Sequence, residues 1–580
     1  MARSERRAGA RRAGRSSARA ALAASVALTA SCGDAPSEGP VPPSTRFVAR
    51  GAASGVDFVH DHGGNGRKHF TEIVVGGVSL FDYDGDGDLD LHCAQAAALP
   101  GRVVAAPLID RLYRNDGAFR FTEVTASAGV GETGYTFSVS CPDVDGDGDL
   151  DLYCCNYGRN TLLVNDGHGR FTDVTESSGL AGTGWSSAAA FVDLDRDGDL
   201  DCYVGNYVVY DVATAPPCGD PATGVASHDY CHPDNFPGAR DDVLRNDGGR
   251  DGAIRFTDVT EACGAGGSTG KALAVVPTDY DDDGDIDLYV ANDHVPNFLW
   301  RNDTPRGGPI ALVEIGFEAG VAQDGEGKNE SCMGSDAADI DHDGDFDLFS
   351  ANMAMETNTL WVNDDGVFTD DTNLAGLGRE SYLWVGFGAK FFDQDLDGEL
   401  DLALANGHVL DQVERHDPHQ SFRQKAQLYR GVGRGKFRLV SSEGGPYFEE
   451  KHVGRGLAAG DLDDDGDVDL VIAHWQERPE LLENTAIAPG RTQRWIGVDL
   501  RGRGANTRAL GARVECRAGA LFQVDEVRGA ASFAAWNDTR LLFGLGAHEG
   551  AVDLKIRWPD GAEQELRGLA PGRYHRIAQP

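Results

Sequence analysis

The chain has 580 residues and a formal net charge of −41, with 93 Asp and Glu against 52 Lys and Arg. It is long enough for several hundred residues of core, and so acidic a chain lacks the clustered Lys and Arg that a phosphate backbone demands, which excludes nucleic acid as a partner. The acid is also concentrated: seven nine-residue segments hold 37 of the 93 acidic residues in 63 positions, so the charge marks particular sites rather than a general solvated surface.

At the N-terminus, Arg3, Arg6, Arg7, Arg11, Arg12, Arg15 and Arg19 precede the small apolar run ALAASVALTASC, the pattern of an export signal over residues 1–31. Thr29-Ala30-Ser31-Cys32 resembles a bacterial lipobox with its Leu displaced to Leu28. That implies a lipid anchor at Cys32; ordinary signal cleavage is the other reading, and the Arg pairs also permit a twin-arginine route. Residues 32–45 read as a linker. No later apolar stretch approaches the roughly 18 residues of a membrane span. The expected location is therefore the bacterial cell envelope as a lipoprotein, or the extracellular medium, with membrane contact only through Cys32.

The cluster His60, Asp61, His62 and His69 has transition-metal ligand types, but HDHGGNG is turn-like and reads as a surface loop. The first acidic segment follows, DYDGDGDLD, with Asp82, Asp84, Asp86 and Asp90 at positions 1, 3, 5 and 9 and Gly87 at position 6. Calcium takes six to eight oxygens from a flexible loop, and glycine permits the sharp turn, whereas magnesium demands tight octahedral geometry and keeps its waters. The pattern recurs at Asp143, Asp145, Asp147, Asp151; at Asp193, Asp195, Asp197, Asp201; and at Asp279, Asp281, Asp283, Asp287. It continues at Asp339, Asp341, Asp343, Asp347; at Asp393, Asp395, Asp397, Asp401; and at Asp461, Asp463, Asp465, Asp469. Gly148, Gly198, Gly284, Gly344, Gly398 and Gly466 keep position 6. These are seven candidate calcium sites. Arg196 and His342 fall at position 4, where side chains point outward, so both loops are retained.

An EF-hand is excluded, since position 12 is Cys93, Cys154, Val204, Val290, Ser350, Leu404 or Ile472 instead of a bidentate Glu. The residues after position 9, as in LDLYCCN and IDLYVAN, are short β-prone runs. Between loops lies a second recurring segment, as in LYRNDGAFRFTEVT and LLVNDGHGRFTDVT, whose Asn-Asp-Gly turn signals a hairpin. Its Phe recurs at Phe47, Phe121, Phe171, Phe256, Phe317, Phe368 and Phe437. Each unit thus has about four short strands, the size of a propeller blade, and an open β-solenoid suits the long variable insertions less well. The expected fold is all-β, a seven-bladed β-propeller over 46–486 with calcium-binding hairpin loops.

Without Cys32 ten cysteines remain, an even number that in an exported chain suggests disulfides. Cys218 and Cys231 flank a Pro/Gly-rich insertion and are the best local pair, while vicinal Cys154 and Cys155 also read as buried free thiols. Residues 487–580 carry 14 Lys and Arg against 10 Asp and Glu and read as a small β-rich domain, with period-two runs WIGVDL, LFQVDEV and LKIRW. Trp495, Phe533, Trp536 and Trp558 are expected in its core rather than stacked on a sugar.

The repeats resemble FG-GAP or VCBS-type repeats, the modules of the integrin α-subunit propeller. HFTEIVVGGVSLFDYDGDGDLDL followed at the C-terminus by RWIGVDLRGRGANTRALGARVECRAG, WNDTRLLFGLG and IRWPDGAEQELRGL resembles the cartilage acidic protein-like family, in which an ASPIC and UnbV domain follows such a propeller. The resemblance implies adhesion or matrix-like interaction with a protein or glycan. No HExxH, GxSxG, phosphate-binding Gly loop or catalytic Cys/His arrangement is present, so no enzyme is expected. The competing reading is a carbohydrate-active propeller such as a polysaccharide lyase, which needs a basic residue and aromatics lining the top groove; the insertion Tyr207 to Asp242, with Tyr210, Tyr230, His232 and Phe236, is the place to look for either function.

Overall fold

Each acidic segment reverses the chain because its sixth residue is a glycine held at φ between +93° and +107°, a conformation that costs glycine little. The structure, a computed structural model, describes residues 47–215, 230–248, 253–485 and 494–580; the export signal, Cys32 and Cys218 lie outside them. Every reversal joins two antiparallel strands, and the expected all-β architecture is what the chain adopts.

Seven sheets follow one plan, four strands in sequence order. Sheet 2 is representative: Tyr135–Ser140, Leu152–Tyr157, Thr161–Asn165 and Phe171–Asp173. The first strands are Val78–Phe81, Tyr135–Ser140, Ser186–Val192, Ala272–Thr278, Ser335–Ala338, Gly386–Phe392 and Gly454–Gly460. Each packs on the first strand of the next sheet, and the seventh returns to the first. They are rich in Ala, Gly and Ser, as crowding at a shared axis requires. Sheet 7 takes its outer strand from the other end of the chain: Val48 and Ala49 pair with Glu483 and Leu482.

The second recurring segment has a local logic. After the fourth strand, a Thr opens a four-residue helical turn, and its hydroxyl accepts the third strand's amide: Leu112 to Thr125 at 3.0 Å, Leu162 to Thr175 at 2.8 Å, Val243 to Thr260 at 2.9 Å. The Phe register holds except in sheet 4. There the fourth strand is Leu312–Glu314, and Phe317 sits in the following helical turn, 61% exposed. Leu312 buries the apolar contact that Phe was expected to make.

The cysteines also depart from expectation. Cys93, Cys141, Cys154, Cys155, Cys202, Cys263, Cys332 and Cys516 are free and buried. In the sheets they act as small hydrophobes. Cys231 is disulfide-bonded.

The C-terminal residues form two sheets, Leu541–Gly544 with Trp495–Arg501 and Tyr574–Ala578, and Leu521–Glu526 with Arg513–Ala518, Val552–Arg557 and Glu563–Leu569. They share one compact unit, Thr45–Pro580, with the seven sheets. The segment 529–537 enters the axis: Ala535 and Trp536 pair in parallel with Val78 and Ser79, and the Ser532 amide donates to the Ser335 carbonyl at 2.6 Å. Phe533 is fully buried between Phe137 and Phe387, at ring distances of 5.4 and 4.8 Å. A Cβ at Gly77 would lie 2.9 Å from the Ala534 carbonyl oxygen, so close approach demands glycine there. Truncating Phe533 to Ala should cost about 3–5 kcal/mol. The expected result is a melting temperature several degrees lower with unchanged far-UV circular dichroism; an unchanged melting temperature would show that the segment adds no stability.

Candidate metal centres

The seven loops lie on one face, since each joins a first to a second strand. Their hydrogen bonding repeats atom for atom. The position-9 Asp is almost wholly buried in every loop and accepts two backbone amides. One comes from position 2 of its own loop and the other from the end of the third strand. For Asp90 these are Tyr83 at 2.9 Å and Asn115 at 2.8 Å; for Asp151, Val144 at 2.9 Å and Asn165 at 2.8 Å; for Asp201, Leu194 at 3.0 Å and Asn246 at 2.9 Å. Asp287, Asp347 and Asp469 repeat the pair with Asn302, Asn363 and Asn484. Asp401 uses Gly431.

The Asn of the hairpin turn has a second role that its sequence signature concealed. Its side-chain amide bridges sheets: Asn165 Nδ2 donates to the Leu150 carbonyl in its own loop and, at 2.8 Å, to the Tyr83 carbonyl in the preceding one. Asn115 closes the circle onto Leu462 of the seventh loop, also at 2.8 Å. Five sheets repeat this bridge to a preceding loop at 3.4 Å or less, through Asn165, Asn246, Asn302, Asn363 and Asn484.

Position 5 is equally regular, and position 1 follows one pattern in every loop but the fifth. The Gly at position 6 donates its amide to Oδ2 of Asp82, Asp143, Asp193, Asp279, Asp393 and Asp461, at 2.8 to 3.1 Å. Oδ1 of Asp86, Asp147, Asp197, Asp283, Asp343, Asp397 and Asp465 accepts the position-7 amide. Carboxylate oxygens of Asp82, Asp84 and Asp90, of Asp143, Asp145 and Asp151, and of Asp193, Asp195 and Asp197 converge within 4.8 Å. Buried oxygens without a hydrogen bond lie in these loops: Oδ1 of Asp84, Asp281 and Asp341, and both oxygens of Asp339. A hard divalent cation is the partner such orphaned oxygens fit.

The sixth loop is the exception. Arg114, Arg245 and Arg301 in other third strands pair with Asp116, Asp247 and Asp303 two residues on. Sheet 6 has Val432 at that place, and Arg430 turns instead onto Asp395 at position 3. A guanidinium already neutralises that ligand, so Asp393, Asp395, Asp397 and Asp401 fit a cation least well.

The C-terminal domain covers this face. Thr507 donates to Asp143, Arg557 to Asp279 and, at 2.9 Å, Tyr574 to Asp461, all at Oδ2. Ala505 and Asn506 amides donate to the Gly198 carbonyl, each at 3.1 Å, Arg508 to that of Gly148 and Arg513 to that of Gly344. Arg540 reaches Asp464 at 2.7 Å, and the Gly546 amide the Leu396 carbonyl at 2.9 Å. Over the first loop lies a cleft of about 340 Å³, lined among others by Asp82, Asp86, Arg501 and Arg508.

The His60 cluster and the insertion lie on the opposite face. Asp61 pairs with Arg102, His62 Nδ1 lies 3.2 Å from Glu72, and His69 caps a helical turn, so the His60 cluster is a braced loop. Phe236 stacks on Phe70 at 5.2 Å, and Tyr230 donates to Glu72 at 3.2 Å. Among the described residues of the insertion, Tyr210 and Phe236 pack against each other and against Phe70.

Residues 502–580 match the ASPIC and UnbV family, and residues 82–154, 143–204 and 279–350 match the FG-GAP-like repeat. Cartilage acidic protein 1 of Xenopus tropicalis is 26% identical over 308 residues, 50% of this chain. The match spans 42% of that relative's length. A solved structure titled for recognition of non-reducing terminal N-acetylglucosamine by an Agrocybe aegerita lectin is 16% identical with a TM-score of 0.37, covering 69% of this chain and 84% of that one.

Burial, before the neighbouring carboxylates, pushes the loop acids up: Asp90 and Asp201 to about 9, Asp393 and Asp461 to about 8, Asp193 and Asp279 to about 7. In chelator the folded chain therefore holds protons that the unfolded chain has released above its ordinary carboxyl range. Stability must then fall as pH rises through this window. Metal-stripped protein should melt higher at pH 6 than at pH 8, and millimolar calcium should flatten or reverse the trend. A flat profile in chelator would contradict these shifts.

Proposed function

We propose that this chain, which joins FG-GAP-like repeats to an ASPIC and UnbV domain in the manner of the cartilage acidic protein-like family, is an exported calcium-binding interaction module. Calcium is structural in this reading: it takes the carboxylates at positions 1, 3, 5 and 9 and removes the repulsion that crowding and burial create. The observation that carries it is the orphaned, buried oxygens at position 3 in three copies of the loop, those of Asp84, Asp281 and Asp341, together with those of Asp339 at position 1.

The ligand is a protein or a glycan, engaged on the face away from the loops. Two features support that choice of face. The C-terminal domain occupies the other side, and exposed apolar residues including Val59, Val209, Met355, Tyr382 and Leu383 lie on connections of the open side. Loops positioned by a rigid ring are the usual place for recognition.

The test is metal content and thermal melting of the exported chain, in millimolar calcium and after chelation. Several bound calcium ions and a large drop in melting temperature on chelation are expected, with the sixth loop the weakest contributor. The Asp84→Ala, Asp86→Ala double variant should melt lower than wild type in calcium and equally in chelator. Equal losses in both conditions would sink a structural role for the ion. Release of products from a polysaccharide panel would replace the binding reading by a carbohydrate-active one.

A further inference from the structure

Outside the loops, three metal-ligand side chains meet on the open face. His232 opens a short helical turn, Pro233–Asn235, and follows the disulfide-bonded Cys231. Asp234 lies within that turn. His294 comes from a distant place, the connection after the second strand of sheet 4, and holds φ at +61°, a left-handed conformation uncommon for a residue with a side chain. His232 Nδ1 lies 3.5 Å and His294 Nδ1 3.7 Å from the same oxygen, Asp234 Oδ2.

The ring nitrogens have these neighbours. His232 Nδ1 accepts the Asp234 amide in a long 3.3 Å contact. On His294 the other nitrogen, Nε2, faces Glu356 Oε1 at 3.8 Å. One ring nitrogen from each histidine and a carboxylate oxygen therefore converge, all within 4.8 Å of one another. Lys271 does not occupy the space between them: its ammonium lies 3.3 Å from the opposite oxygen, Asp234 Oδ1, and 3.1 Å from the Pro233 carbonyl. Asp293, buried beside the site and bonded to Tyr207, adds a further carboxylate.

We propose that His232, Asp234 and His294 form a transition-metal site, with Glu356 as the outer carboxylate that orients His294. Imidazole and carboxylate together suit zinc or copper rather than calcium. Tetrahedral zinc with ligands at about 2.0–2.2 Å needs small adjustments of the present separations, and three protein ligands leave one position open. A carboxylate behind a ligating His is the arrangement that fixes its tautomer. By contrast, His474, in a second histidine cluster, has both nitrogens taken, by the Arg478 carbonyl at 2.7 Å and the Tyr447 hydroxyl at 2.8 Å.

The experiment is a titration of the full chain, saturated with calcium to fill the aspartate loops, first with zinc and then with copper. About one equivalent of zinc should bind, and the copper form should show two nitrogen ligands by electron paramagnetic resonance. His294→Ala should weaken zinc at least 100-fold, and Glu356→Gln about 10–100-fold, as outer-sphere partners do. Metal-free melting of each variant checks the fold, and the nitrogen signature of the wild type stands whether or not a variant folds. No zinc beyond the loops, a copper spectrum without two nitrogens, or unchanged affinity in a folded His294→Ala variant would overturn the assignment.

Discussion

Every sheet depends on one buried carboxylate, the position-9 aspartate, which accepts an amide from its own loop and another from the third strand. An ionised carboxylate in such a place is costly to desolvate, and two amide donors offset only part of that cost. The remainder must come from a proton or a cation. Repetition makes this requirement collective, because the Asn that donates to the aspartate also bridges to the loop before it. Disorder in one loop therefore loosens its neighbour's hold as well as its own.

The C-terminal domain is tied into the same network from outside. Its contacts fall on Oδ2 of position 1, on position 4 and on the position-6 carbonyl, and leave the carboxylate oxygens at position 3 to an ion. Charge complementarity explains why a mildly basic domain settles on the acidic face. At the axis the same domain contributes Phe533, and the small residues of the first strands leave room for it. The two parts are consequently one cooperative body, although their compositions differ enough to be told apart in the sequence.

Strands, turns and loops were legible because each is written as a short pattern repeated many times. Features that occur once were not. GAASFAAWN has no periodicity to announce that it threads an axis, and nothing local distinguishes Phe533 from an ordinary core aromatic. The sheet-to-sheet role of Asn165 was hidden behind its turn signature, which accounts for the residue without any partner. Phe317 misled because it sits close to the expected register, five residues beyond Leu312. Arg430 became legible only once Val432 was seen to remove its usual partner. The buried thiols show that an even cysteine count does not decide pairing when the side chains pack as small hydrophobes. His232 and His294 stand 62 positions apart in the sequence, and only folding brings them together.

The outer strand at Val48–Ala49 has a consequence for how the ring forms. Its pairing with Glu483 and Leu482, reinforced by an Arg50–Glu483 bond spanning 433 positions, joins the two extremes of the repeat array. Loop-closure entropy weighs against such a contact, and high contact order slows folding. The partner edge does not exist until sheet 7 has formed, so a chain made from its N-terminus holds its first strand unpaired throughout synthesis. Until that last step the array has two open edges, each able to recruit a strand from another chain. Closure is thus also the event that ends its vulnerability to aggregation.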